Sequence, residues 1–595
     1  MKLPSRAAFL AGLVLVLALS ATLRFHGQDW DQGTLLHPDE RFLFMVTSKL
    51  TWPAGWAEYL DSSRSPLNPR NQGERYFAYG TLPLVLLKAA LAAAGDPPLW
   101  SMAPVARAVS AAADVAATGL VVLLGLLLYG RGVGLLAGFF YAGAVLPLQQ
   151  AHFFVVDPLA SLFCLAALSG LALVQTGRLG RSGWLLAGVA WGLALACKQS
   201  SFLLGAAGLA LVLDRAWRSW RESRSGAEVR RTLWSGVGDL ALLGGTALVV
   251  LRLAAPDIFR PLGWGLLFPE ARWLKDLRIT YLTIVLGTPG FPPSIQWYGL
   301  APVLHPWWQM VRWGLGPALG FTAWLAWAAA AWRWLARGRA RHLLPVVWSG
   351  LVLGWLGASH TMYMRYFLPA YPTLCLLAAW GLLALGRAVG ERPVARWAAR
   401  ALTAGVALAS LGWALAFSAI YDRPEPRLAA TAWIYRHIPP GATLAHEIWD
   451  DALPLSLPEQ QASRQYHIVG LPWAEPDDPG KLARVLDILD RADYLVLASD
   501  RLRGSLPRLP GRYPFTLNYY RALEAGRLGF RLAAEFASFP HLGSWVFPDL
   551  GAEESFTVYE HPRVQIFEKT PAYSRQKARQ EMLRGVGGGL GGRDP

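Results

Sequence analysis

Cysteine is nearly absent from this chain: there are three in 595 residues, Cys164, Cys197 and Cys375. All three fall in apolar segments, so the sequence offers neither a disulfide framework nor a cysteine-built metal site. Metal-ligand spacing of His and Cys is also missing beside the acidic run Glu447, Asp450 and Asp451, which reads as a solvated loop. No internal repeat is visible, which argues against repeat-built transporters. Charge is scarce as well, with 16% Asp, Glu, Lys and Arg against 54% hydrophobic residues and 28 Trp. A chain this apolar is not a soluble protein; it reads as an α-helical polytopic membrane protein.

The charge that remains is unbalanced, at a formal net +16. A basic excess can indicate nucleic acid. Here the arginines cluster in short loops between apolar runs, as a bacterial-type inner-membrane topology requires, and no nucleic-acid partner is expected. Lys2 and Arg6 precede about 17 apolar residues that start at Ala7 and read as a retained signal anchor. The N-terminus is then cytoplasmic and the first loop extracytoplasmic. Further spans are expected at about 104–129, 132–148, 157–176, 183–196, 200–213, 235–253, 312–335, 344–358, 366–386 and 399–419, eleven in all. The run from Tyr79 to Ala94 is short and carries Lys88, and treating it as a span would invert the arginine-rich loops. It is therefore read as interfacial or re-entrant.

These spans divide the chain into a membrane domain over 1–420, an extracytoplasmic α/β domain over 421–569 and a disordered tail over 570–595. Within the membrane domain lie a first external loop over 25–103 and a long one over 254–311, rich in Trp, Pro and Gly and read as an ordered lid or surface cap. In the α/β domain, Arg427 to His437 reads as a helix. Ala442 to His446 and Ala492 to Ala498 read as strands. Phe556–Tyr559 and Val564–Phe567 read as a terminal hairpin.

The topology gathers ionisable residues on the external side. The first loop begins with Leu36-His37-Pro38-Asp39-Glu40-Arg41, two adjacent carboxylates in what reads as a first helical turn. Arg107 opens the second span, and His152 and Asp157 sit in one loop. Lys198 lies between two short spans, and Arg365 precedes Tyr366 in an Arg-Tyr-Phe-Leu-Pro run. A charge at membrane depth costs about 2.5–3.5 kcal/mol on insertion scales, so such residues are functional suspects. Each has a plainer explanation: Arg107 and Lys198 can snorkel to the interface, Asp157-Pro158 can start a helix, and Arg365 can anchor. Acids and bases collected at one level favour a shared site. The bases suit an anionic lipid head group, and the acids suit activation of a nucleophile.

The order of these motifs carries a resemblance. An external Asp-Glu is followed by Tyr79-Gly80-Thr81-Leu82-Pro83, the span-opening Arg107, His152-Phe153 through Asp157, the inter-span Lys198, and Arg365-Tyr366-Phe367-Leu368-Pro369. This resembles the GT-C fold, lipid-carrier-dependent glycosyltransferases, the relatives of protein O-mannosyltransferases and aminoarabinose transferases. The His-Pro-Pro-Leu-Gly-Lys element of the mannosyltransferases is replaced here by Tyr79-Gly80-Thr81-Leu82-Pro83.

The resemblance implies an inverting transfer of a sugar from a polyprenyl-phosphate donor to a glycan, lipid or protein acceptor. Asp39 would be the general base, with Glu40 orienting it or raising its pKa through like-charge proximity. Arg107, Lys198, Arg365 and Tyr366 would hold the donor phosphate. His37, His152 and Asp157 would take acceptor-side or supporting roles, and a divalent cation on Asp39 and Asp157 is left open. The other classes weighed are a transporter or flippase and a non-catalytic scaffold that presents the C-terminal domain.

Overall fold

The computed structural model describes residues 5–586 apart from 224, 262–265, 289–290, 391 and 458–459. Two compact units result. One comprises Met1–Asp29, Pro38–Tyr281 and Pro302–Ser418; the other comprises Trp30–His37, Leu282–Ala301 and Ala419–Pro595. The long loop expected at 254–311 is therefore shared between the units, and a short piece of the first loop joins the second.

The first unit is helical, as a chain that must satisfy its own backbone groups in lipid has to be. Among the described residues, seven helical stretches are long and apolar enough to cross a membrane, including Arg6–Phe25, Val156–Gln175 and Gly226–Ala254. This is a multi-pass membrane protein. The segment expected to span at 132–148 is broken into helices Arg131–Ala142 and Val145–Gln150. The helix Leu82–Ala93 has 12 residues; at 1.5 Å per residue it rises about 18 Å, well short of the ~30 Å hydrocarbon core. Arg24 and Asp114 make an ion pair of 2.5 Å, both fully shielded, inside the bundle. Arg24 also donates to the carbonyls of Tyr141 and Ala142, and the Tyr141 hydroxyl donates to Asp114 at 2.6 Å.

The second unit carries a sheet of β1 (Thr443–Glu447), β2 (His467–Leu471), β3 (Tyr494–Leu497), β4 (Phe530–Phe536) and β7 (Val564–Lys569), with β5 (His541–Leu542) and β6 (Trp545–Val546) forming a separate hairpin. The sheet order is β2-β1-β3-β7-β4. The first three strands run parallel, while β7 runs antiparallel to both of its neighbours. Helix Pro479–Arg491 shows how sequence dictates one layer. Asp478 caps its start, proline occupies the first turn, and Leu482, Val485, Leu486 and Leu489 repeat at helical spacing to face the sheet. On the opposite face, Ala430 and Ile434 of helix Pro426–His437 pack with Leu444, Val496, Val564 and Ile566.

Three expectations for this unit need correction. Val564–Lys569 is a strand, but Phe556 lies in a helical turn, Glu554–Thr557, capped by Glu553 accepting from the Ser555 amide; the cap overrides local β propensity. The tail expected from 570 forms helix Arg575–Met582, with Ser574 as its cap and Ala578 and Met582 buried in the core; residues 587–595 lie outside the described residues. The acidic run is not a solvated loop. Glu447 is buried and accepts from the Tyr520 hydroxyl, Asp450 accepts from Ser499, and Asp451 pairs with Arg427 at 2.8 Å. Burial pushes the Glu447 carboxyl up to about 8.

Candidate active site

Pro38 opens helix Pro38–Lys49 and puts Asp39 and Glu40 in its first turn. Successive helical residues diverge by about 100°, so the adjacent carboxylates face different surroundings. Glu40 is fully buried. Arg107 donates to it from Nη2 at 2.6 Å and from Nε at 3.0 Å, and the Phe154 amide adds a 2.8 Å bond to the same carboxylate. Arg107 Nη1 reaches the Gln28 carbonyl at 2.7 Å. Arg107 thus pairs with Glu40 inside the protein. Together they lock the turn from which Asp39 projects.

Asp39 keeps 23% of its side chain exposed and pairs with Arg365. Arg365 comes from the 3-10 turn Met364–Ala370, and its guanidinium lies over the rings of Tyr363 and Tyr366, at 5.4 and 5.8 Å. Lys198 occupies the break between helix Arg181–Cys197 and the following turn, Gln199–Leu203. Its ammonium donates to Asp157 at 2.6 Å and stands 4.5 Å from the Tyr366 ring centroid. The hydroxyl of Tyr366 feels the charges of Arg365, Asp39 and Asp157, and that of Tyr79 feels Asp39, Arg365 and Asp157. Asp39, Arg365, Tyr366, Lys198 and Asp157 are therefore brought together, with Tyr79 added.

Gly80 explains part of the placement. Its amide donates to the Cys197 carbonyl at 3.0 Å, one residue before Lys198. A Cβ on Gly80 would collide with the Ala196 carbonyl, so only glycine permits this approach. The next residue, Thr81, donates to Asp257 at 2.5 Å. Arg70 binds the same Asp257 at 3.0 Å and Asp276 at 2.7 Å, fixing the first loop to helix Ala271–Tyr281.

Beside Lys198 opens a narrow cleft with room for about one water molecule. Its lining mixes polar Asp157, Lys198, Ser200 and Tyr366 with apolar Leu203, Val352, Leu356 and Pro369.

Besides Glu40 and Arg107, two further expected residues fall outside this set. His152 is fully buried, with its ring nitrogens against the carbonyls of Leu148 and His26 at 2.8 and 2.7 Å. His37 belongs to the second unit, where its ring centroid lies 4.3 Å from that of Tyr559. The donor set also fits a divalent cation poorly. Asp39 and Asp157 are each neutralised by their own cation, and no cluster of three or more His, Cys, Asp or Glu able to hold a metal occurs among the described residues. Tyr79 stands in a motif quoted from the sequence but was given no place in the site, and the Arg70–Asp257–Asp276 clamp went unread; its only signal was ionisable residues in polar loops.

Residues 99–227 match the family model described as dolichyl-phosphate-mannose-protein mannosyltransferase. No curated protein sequence matches. Among solved structures, the apo oligosaccharyltransferase of Archaeoglobus fulgidus is 14% identical with a TM-score of 0.50, over 95% of this chain and 89% of that one. ArnT from Cupriavidus metallidurans bound to undecaprenyl phosphate is 13% identical with a TM-score of 0.43, over 95% and 98%. The S. cerevisiae protein O-mannosyltransferase Pmt1–Pmt2 complex bound to the sugar donor is 13% identical with a TM-score of 0.33, over 43% and 34%. The fold of this chain is that of the GT-C glycosyltransferases.

Proposed function

We propose that this chain transfers a sugar from a polyprenyl-phosphate donor to an acceptor hydroxyl or amine, at the extracytoplasmic face of a bacterial-type inner membrane and with inversion. The observation that carries this reading is the convergence of Asp39, Arg365 and Lys198 around Tyr366, beside a narrow cleft lined by both polar and apolar side chains. The family model matching residues 99–227 is named for a donor of this class.

In this mechanism the donor tail lies in the bilayer and its phosphate meets Lys198 and Arg365. The acceptor oxygen attacks the anomeric carbon while Asp39 takes its proton. The bond from that carbon to the phosphate oxygen breaks, and its electron pair leaves on polyprenyl phosphate. Charge grows on the phosphate as it departs, so fixed cations stabilise the transition state more than the ground state. Asp157 holds Lys198 in place before the phosphate arrives, and Glu40 with Arg107 keeps the Asp39 turn rigid.

Membrane vesicles with the wild-type chain should move radiolabelled sugar from a polyprenyl-phosphate sugar, and Lys198→Met vesicles should do so at least about 100-fold more slowly. Equal rates in the two would reject this assignment.

A further inference from the structure

The β5–β6 hairpin presents an apolar tip. Trp545 is 72% exposed, and Leu542, Val546, Phe547 and Leu550 are exposed beside it. Single exposed apolar residues are ordinary, but five within nine positions form a patch that calls for a cover. The tip is rigid: the turn Gly543-Ser544 connects paired residues Leu542 and Trp545, and Gly543 has φ +57°, as the primed hairpin turns require. The stretch from Ser538 to Pro548 carries no acid, lysine or arginine.

The base of the hairpin says what the cover is. Ser538 Oγ donates to the Ile420 carbonyl at 3.3 Å, and β5 packs against the turn Ala419–Asp422. That turn directly follows the apolar helix Pro393–Ser418 in the chain. Leu542, paired with Trp545, is four residues from Ser538, a reach of about 14 Å at most. The hairpin is therefore packed on the turn that the chain enters directly from a membrane-crossing helix. A tryptophan with an apolar body and one indole N–H is the side chain a membrane's interfacial layer favours.

We propose that the hairpin is a membrane-surface anchor, with Trp545, Leu542 and Val546 seated in the interfacial layer of the lipid bilayer. The inference is independent of the proposed reaction, because it needs only the bilayer that the apolar helices demand.

The test uses the full chain in phosphatidylcholine–phosphatidylglycerol vesicles, with Trp545→Cys carrying an environment-sensitive fluorophore. Cys164, Cys197 and Cys375 are buried, which favours labelling at the new site. We expect lipids bearing a nitroxide near the head group to quench the label by about twofold or more, and aqueous iodide to quench it little. Quenching by iodide alone would place the tip in water and overturn the proposal. Protection from both quenchers would place it under protein, a partner or a second copy, and would overturn it equally. Leu550→Cys repeats the measurement should the first variant not accumulate as folded protein.

Discussion

The ammonium of Lys198 stands 4.5 Å from the ring centroid of Tyr366 while it is bonded to Asp157. The same ring faces the guanidinium of Arg365, which is paired with Asp39. One aromatic side chain thus spaces two cations that would otherwise repel, and each cation carries its own carboxylate.

The spacing role of Tyr366 predicts a graded series. Tyr366→Phe keeps the ring face and should change the donor KM little. Tyr366→Leu removes a cation–π contact worth about 0.5–2 kcal/mol, which raises the donor KM about 2- to 30-fold. Steady-state kinetics on the two variants checks this.

The Glu40–Arg107 pair should act on stability. Arg107→Ala leaves the buried Glu40 carboxylate without its cation and should cost about 3–5 kcal/mol. Thermal unfolding in detergent would show it as a lowered Tm. A variant with unchanged Tm and selectively weakened donor binding would instead return Arg107 to the phosphate.

Gly80→Ala should disturb the Lys198 break, because the added methyl meets the Ala196 carbonyl. We expect lower turnover and faster hydrogen exchange over 196–200. Unchanged exchange there would remove Gly80 from the account.

In the second unit, His561 is buried between Asp549, at 2.7 Å, and Glu560, at 3.3 Å. Burial disfavours its protonation, but the two carboxylates outweigh burial and push it up to about 10. The folded state then holds a proton that the unfolded histidine, with a pKa near 6.5, releases earlier. The stabilisation is complete below about pH 6.5 and is lost as pH rises towards 10. Unfolding scans from pH 6 to 10 should show a falling Tm, with a flatter profile for His561→Gln.

The parts of this molecule that were legible from sequence share one property: a polar residue stands out against apolar neighbours. Asp39, Lys198, Arg365 and Asp157 were visible for that reason, and the break at Lys198 lay between two short apolar runs. The partnerships were not legible. Arg24 meets Asp114 90 positions away, and Arg70 meets Asp257 and Asp276 at separations of 187 and 206, distances at which local pattern carries no information. Helix Arg575–Met582 was hidden because its sequence, RQKARQEM, is polar nearly throughout; only Ala578 and Met582 among its eight residues enter the hydrophobic core, and long-range pairs such as Arg527–Glu581 hold the rest. Glu40 beside Asp39 suggested a coupled pair of acids, and helix geometry separated them.

The most direct test of the central claim is to compare donor binding and turnover in wild-type and Asp39→Asn protein in lipid nanodiscs, with a labelled polyprenyl-phosphate sugar. If Asp39 is the base and Lys198 and Arg365 hold the phosphate, Asp39→Asn should lower kcat by about 10²- to 10⁴-fold, with donor Kd within a few-fold of wild type. Turnover retained at the wild-type rate in Asp39→Asn would contradict the account.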